Sequence, residues 1–96
     1  MGYRVSRRAD HDLNNIYEFS LTQFGPRQAR NYGGGIIRTL SFLAEHPESA
    51  RLRQEVDPPV RVFRFKSHLI FYDIKGDDIV ILRVRHGRED WMSDAT

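Results

Sequence analysis

The sequence predicts an α+β fold in which a short N-terminal strand and an antiparallel helix hairpin pack on a C-terminal antiparallel sheet, in the order β-α-α-β-β-β. Three observations lead to this prediction. Apolar side chains recur with helical spacing in the first half of the 96-residue chain, apolar strand-like runs with short links fill the second half, and a Gly-Pro pair divides the helical stretch. The length leaves room for one hydrophobic core, so residues 1–96 are expected to form a single domain.

A short alternating segment followed by a helical stripe predicts the first strand and the first helix. Tyr3 and Val5 share one face of a strand over residues 3–6, and Ser6 suits the helix N-cap. Apolar or small residues then recur at steps of three and four. They are Ala9, Leu13, Ile16, Tyr17, Ser20 and Phe24. Gly25 and Pro26 are expected to end this helix and to begin the next.

The second helix is predicted to run from Pro26 to the residue before Pro47 and to form a hairpin with the first. Its apolar stripe consists of Ala29, Tyr32, Ile36, Leu40 and Leu43, with Ile37 and Ala44 beside it. The run 33–35 places three glycines in the middle of this helix, at a cost of about 1 kcal/mol each relative to alanine. Either the backbones pack closely there or the helix is locally weak, and we favour close packing.

After a polar connection over residues 48–59, three strands are expected to form an antiparallel meander with the helix hairpin on one face. In the first, Val60 and Val62 lie on one face of the strand, and Arg61, Phe63 and Phe65 lie on the other. The second, 68–74, is almost continuously apolar, as in a strand covered on both faces. The third, 78–86, alternates Val80, Leu82 and Val84 against Ile79, Ile81, Arg83 and Arg85. Tyr17 and Tyr32 are expected in the core, and Tyr72 in the core or at its edge.

Composition narrows the class of protein. The net charge of +2 does not by itself indicate a nucleic-acid binder. Only Lys66 and Lys75 are lysines among the 15 basic residues, so the other 13 are arginines, which suit carboxylates, phosphates and tight interfaces. The chain has no cysteine and no apolar run of membrane-spanning length. We therefore expect a cytoplasmic protein without disulfides or a membrane segment.

Conventional catalytic and cofactor motifs are missing. The histidines, which are His11, His46, His68 and His86, fall on different predicted elements without ligand spacing, so no metal is expected. No phosphate loop, dinucleotide motif or nucleophile elbow is present, and the run 33–35 lies inside a helical stripe. No catalytic residues and no cofactor are predicted.

A cluster of basic residues is more informative about function than the missing catalytic motifs. Its members are Arg61, Arg64, Lys66, Arg83, Arg85, His86 and Arg88, which a meander would gather near one end of the sheet. Such a patch suits phosphate or an acidic partner, whereas the plainer interpretation is a solvated face with ordinary ion pairs. Trp91, an aromatic residue in a polar tail, either folds back on the domain or anchors a partner.

Several stretches of the chain, covering about residues 3–92, resemble the ParE branch of the RelE/ParE toxin superfamily. They are Tyr3-Arg4-Val5-Ser6-Arg7-Arg8-Ala9-Asp10-His11-Asp12-Leu13, Phe24-Gly25 with Gln28-Ala29, Leu43-Ala44-Glu45-His46-Pro47, His68-Leu69-Ile70-Phe71-Tyr72 and Ile81-Leu82-Arg83-Val84-Arg85-His86-Gly87-Arg88-Glu89-Asp90-Trp91. The triple glycine departs from the family pattern, which has ordinary helix formers there.

The resemblance implies a type II toxin that inhibits DNA gyrase by binding, is neutralised by a ParD-like antitoxin, and is not an enzyme. No direct sequence-specific DNA binding by this chain is expected. The antitoxin is expected to occupy an apolar groove between the helix hairpin and the sheet edge, as a helix or as an added strand. The residues assigned to antitoxin binding are Arg61, Arg64, Arg83 and Arg85, and those assigned to target binding are His86, Arg88 and Trp91.

Two alternatives stay open at this point. One is a ribosome-dependent mRNA interferase of the RelE type, whose cleavage site would use Arg61, Arg83, His86 and Arg88. That branch commonly has a C-terminal Tyr or His, and here the last tyrosine is Tyr72. The other alternative is a non-toxic relative that still binds an antitoxin.

Overall fold

A computed structural model describes residues 2–88 of the chain. In this part of the chain, two helices and five strands form the fold, with a 3-10 turn, Pro47–Ser49, after the second helix. In chain order the elements are β1 (Tyr3–Val5), α1 (Arg7–Phe24), α2 (Pro26–Glu45), β2 (Leu52–Arg53), β3 (Val60–Phe65), β4 (His68–Lys75) and β5 (Asp78–His86). The predicted α+β class and element order are confirmed, with β2 as an addition inside the polar connection.

The five strands form one sheet in the order β1-β5-β4-β3-β2. Strands β3 to β5 pair antiparallel, as the predicted meander requires, and the unpredicted β2 adds antiparallel to β3. Strand β1 pairs parallel with β5, with Tyr3 opposite Ile79 and Val5 opposite Ile81, so the sheet is mixed. The first strand of the described chain therefore flanks the last one.

Local signals at the helix ends act as the sequence predicts. The Ser6 side chain accepts a hydrogen bond from the Ala9 N–H at 3.0 Å, which caps α1. Gly25 ends α1 with φ of 91°, a conformation that favours glycine, and Pro26 begins α2. The tight joint makes α1 and α2 an antiparallel hairpin.

The main core lies between this hairpin and one face of the sheet. Its fully buried members include Ile36, Leu40, Leu43, Ile70, Tyr72, Ile79 and Ile81. Two residues of the predicted α1 stripe lie outside this core. Tyr17 is exposed beside Gly33 of α2, and Phe24 is exposed at the last position of α1, so neither side chain packs against this core. The prediction that Tyr17 is a core residue is therefore wrong, and Tyr32 is half-buried.

A second apolar cluster lies on the opposite face of the sheet. It contains Val56, Val60, Val62, Leu69 and Phe71, with Leu82 packed against it. Strand β4 is thus buried on both faces, as its continuous apolar run predicts.

A β-bulge between Phe71 and Tyr72 changes which side chains of β5 reach the core. The register shift brings Val84 into the main core beside Ile79 and Ile81, instead of leaving it on the face of Leu82. The predicted simple alternation along β5 is wrong from this point, because one unpaired residue exchanges the two faces.

The N-terminal half of α1 seals the part of β5 that β1 leaves uncovered. The Ser6 hydroxyl donates to the Leu82 carbonyl at 2.9 Å. The Asp12 carboxylate accepts from the Val84 N–H at 3.0 Å and from the Arg83 guanidinium at 2.8 and 3.2 Å. A helix therefore satisfies backbone groups of an open strand edge.

The three central glycines lie within a continuous α2, and only one of them is at a close contact. A Cβ on Gly35 would lie 2.6 Å from the Phe65 ring of β3, so the helix approaches the sheet closely there. At Gly33 a Cβ would make an ordinary 3.7 Å contact with Tyr17, and at Gly34 it would meet the flexible Arg38 side chain at 3.4 Å. Close packing explains Gly35 and does not explain Gly34.

We expect opposite effects from alanine at two neighbouring glycines. Gly34→Ala should raise the free energy of unfolding by about 1 kcal/mol, because alanine has the higher helix propensity. Gly35→Ala should lower it by about 1–3 kcal/mol, because the new methyl group overpacks the contact with Phe65. Urea unfolding followed by circular dichroism measures both. A stabilised Gly35→Ala variant would contradict the close approach.

Tyr72 fastens the turn after α2 to the sheet. Its hydroxyl donates to the Pro47 carbonyl at 2.7 Å, and burial raises the pKa of this phenol. The folded state then keeps the proton after the unfolded chain has released it. Stability that is fully present below about pH 10 should therefore be lost as the pH rises further.

Urea unfolding at about pH 8 and about pH 10.5 tests this expectation. The wild-type protein should lose more stability between these two conditions than Tyr72→Phe does. At the lower pH, Tyr72→Phe should cost about 1 kcal/mol through the lost hydrogen bond. Equal losses for the two proteins would mean that Tyr72 does not titrate in this way.

Candidate functional site

The basic residues predicted as one patch divide into separate groups. Cross-strand pairing places Arg64 opposite Leu69, and Leu69 opposite Arg85, so these two arginines share a sheet face with the second apolar cluster. His68 pairs with both Phe65 and His86 at the same end of the sheet. The structure therefore brings Arg64, Arg85 and His86 to one end.

Arg61 does not join that end. It lies opposite Tyr72, four residues along β3 from Phe65, which is about 13 Å of strand. Its guanidinium donates to the Ala50 carbonyl at 2.6 Å. Arg83 forms an ion pair with Asp12, and the side chains of Arg83 and Asp12 are each less than one-fifth exposed. These two arginines hold the fold together at the places where sequence analysis assigned binding.

A groove lies between α2 and the outer edge of β3. It is lined by Asn31, Gly35, Arg38, Thr39, Phe42, Phe63, Phe65 and Lys66, and its volume is about 360 Å³. Strand β2 pairs with β3 only at Val60 and Arg61, so the following residues of β3 form an uncovered edge beside the groove. An uncovered edge can accept an added strand. The predicted apolar groove between the hairpin and the sheet edge is present.

The groove combines aromatic surface with positive charge. Phe42 of α2 is 44% exposed and lies with its ring centroid 6.0 Å from that of Phe63. The Lys66 ammonium stands 5.6 Å from the centre of the Phe65 ring, and Arg38 lines the same groove. The arrangement suits an apolar segment that also carries carboxylates.

A second cleft lies where the end of α1 overhangs the end of the sheet. The Tyr32 hydroxyl is 2.6 Å from His68 Nδ1, and the His68 and His86 rings meet edge to face with centroids 5.3 Å apart. Burial raises the pKa of Tyr32, so its phenol keeps a proton that it can donate to His68. This cluster was not predicted from the sequence, although the strand pairing of a meander places His68 beside His86.

Two remaining predictions concern the tail and metal binding. Trp91, assigned to target binding, lies outside the described residues. Arg88 lies at the end of the described chain, where its N–H donates to His86 Nδ1 at 3.1 Å. Within residues 2–88, no group of three or more His, Asp and Glu side chains could hold a metal ion. No helix in that part of the chain is long and apolar enough to cross a membrane.

The fold and its surfaces define a small α+β protein with a helix hairpin on a mixed sheet, a groove at an open strand edge and a basic sheet end. Residues 3–91 match the family model described as ParE toxin of type II toxin-antitoxin system, parDE. The chain belongs to the ParE toxin family.

Similarity to individual proteins agrees with this assignment. The chain is 34% identical over 84 residues to Toxin ParE1 of Caulobacter vibrioides, covering 88% of this chain and 86% of that protein. It is 28% identical over 89 residues to Toxin ParE1 of Mycobacterium tuberculosis, covering 92% and 91%. A solved structure of the chromosomal ParDE TA system from P. aeruginosa aligns with a TM-score of 0.77 and 25% identity, covering 90% of this chain and 95% of that one.

Proposed function

We propose that this protein inhibits DNA gyrase by binding and is neutralised by a ParD-like antitoxin. The observation that carries the proposal is the family match over residues 3–91. The similarity to a chain from a ParDE system supports an antitoxin partner. The mode of action is binding, with no bond made or broken by this chain.

The groove between α2 and β3 is the proposed antitoxin site. Its aromatic floor suits the apolar side chains of an amphipathic segment, and its open strand edge offers backbone hydrogen bonds. Arg38 and Lys66 supply charge for acidic residues of that segment. Arg64, which is exposed near the same end of β3, remains a proposed contact, as does Arg85 on the same cross-strand row.

The alternative of mRNA cleavage needs four residues to converge on one phosphate. Arg61 lies far along β3 from the end where His86 and Arg88 lie, and Arg83 is paired with Asp12. A single site that contains all four would require β3 and α1 to be rearranged. This separation favours gyrase binding over cleavage by that set of residues.

A gyrase cleavage assay tests the proposed activity. Purified protein is expected to increase the amount of linear plasmid recovered from a gyrase reaction after detergent and protease treatment. Prior mixing with the antitoxin should remove the effect, which serves as the control. A lack of cleaved DNA at a large molar excess over gyrase, together with cut message in a translation extract, would reverse the assignment in favour of an mRNA interferase.

A further inference from the structure

We infer that the cleft under the end of α1 is a binding site for an unpaired base of single-stranded nucleic acid. This cleft shares no lining residue with the groove proposed for the antitoxin, although Arg64 is assigned a contact in both, and the inference does not depend on that proposal. The cleft has a volume of about 280 Å³ and is lined by Phe19, Ser20, Phe24, Gln28, Tyr32, Ser67, His68 and His86. Space of that size admits one base.

The walls of the cleft suit stacking. Phe19 is 63% exposed and Phe24 is 58% exposed, the two largest exposures among the large apolar side chains of the described chain. Both line the same cleft, although they lie five residues apart on α1. Exposed aromatic rings offer surfaces on which a base can stack, because every base has a π-face.

The floor of the cleft suits the edge of a base. The side chains of Ser67 and Gln28 offer hydrogen-bond donors and acceptors together. His86 receives the Arg88 N–H at Nδ1, so the neutral ring carries its own proton on Nε2. A mixed set of donors and acceptors matches the ring nitrogens, amino groups and carbonyl groups of a base better than it matches a hydrocarbon or a simple anion.

Positive charge beside the turn that carries Ser67 suits the phosphates on either side of that base. Arg64 donates to the Lys66 carbonyl at 3.2 Å, and the Gly87 N–H donates to the Ser67 carbonyl at 2.8 Å. The Arg64 guanidinium therefore lies at the turn that also carries Ser67, next to the chain that leads to Arg88. None of the described residues that line the cleft is acidic. The missing negative charge in the cleft and the nearby guanidinium thus favour nucleic acid over an uncharged apolar ligand.

Binding of a short fluorescently labelled oligonucleotide, followed by anisotropy, tests the inference. The intact chain should bind the single strand more tightly than the matching blunt duplex. Phe19→Ala and Phe24→Ala should each weaken single-strand binding about fivefold or more, the effect of losing one stacked base. Leu21→Ala is the matched control, because Leu21 is an exposed apolar residue on the same helix that does not line the cleft. It should leave the affinity unchanged.

Further arms distinguish the electrostatic contribution and the kind of strand. Arg64→Gln should weaken binding and reduce its dependence on salt concentration, whereas the phenylalanine variants should keep that dependence. DNA and RNA of one sequence compared side by side identify the preferred sugar, and a preference for either agrees with the inference. Equal affinity for single strand and duplex would overturn it. So would a Phe19→Ala variant that loses antitoxin affinity while its oligonucleotide binding stays intact, because the cleft would then be a protein site.

Discussion

Asp12→Asn is expected to lower the free energy of unfolding by about 2–3 kcal/mol, because one carboxylate serves both a cation and a backbone N–H. Asp12 accepts two hydrogen bonds from Arg83 and one from Val84, and both members of the ion pair are largely buried. Asparagine has a single acceptor oxygen and no charge. The variant would leave the Arg83 guanidinium without a counter-ion at the edge of β5.

Asp10→Asn is the matched control for this experiment. Asp10 lies in the first turn of the same helix and is exposed, so its replacement should cost only the helix-dipole contribution of about 0.3–1 kcal/mol. Urea unfolding followed by far-ultraviolet circular dichroism compares the free energies of unfolding of the two variants. Equal losses would show that Asp12 contributes only through the helix dipole and does not seal the strand edge.

Phe42→Ala is expected to weaken antitoxin binding by about 2 kcal/mol, or roughly 30-fold, because exposed aromatic anchors dominate interface energies. Phe42 lies against Phe63 in the groove beside the uncovered edge of β3. Its partial exposure means that the free protein should lose little stability. Titration calorimetry with the purified antitoxin measures the change in affinity.

Ile37→Ala controls for the loss of apolar surface elsewhere on the same helix. Ile37 is 47% exposed, close to the 44% of Phe42, and it lies on the other side of α2, towards α1. Its replacement should leave the affinity for the antitoxin within about twofold, as for most residues outside a binding hot spot. A larger loss at Ile37 than at Phe42 would move the antitoxin site to the outer surface of the hairpin.

Local signals in the sequence predict most of the elements because each depends on neighbouring residues. Ser6 at the N-cap, Gly25 with Pro26 at the hairpin joint, and the bounds of β5 all follow from chemistry within a few positions. The parallel pairing of β1 with β5 depends on residues 76 positions apart and carries no local signal. The bulge at Phe71 and Tyr72 is likewise set by packing, and it defeats a strict alternation along β5.

The candidate site shows the same division. The apolar groove could be predicted, because it requires only a hairpin laid on a sheet with an open edge. The basic cluster could not be partitioned, because the partners of Arg61 and Arg83 are a carbonyl and a carboxylate on other elements. The cleft beside Phe19 could not be predicted from the sequence, since that residue lies off the apolar stripe of α1 and comes to line one cleft with His68 and His86 only in the folded chain.

The pairing of β1 with β5 also determines when the molecule can mature during synthesis. Strand β1 has no pairing partner among the described strands until β5 has left the ribosome, so the helix hairpin is made before the sheet that supports it is complete. A nascent chain that stalls before residue 78 would present its helices without their supporting layer. Completion of the sheet is thereby tied to the synthesis of residues 78–86, which lie 76 positions after the strand that they complete.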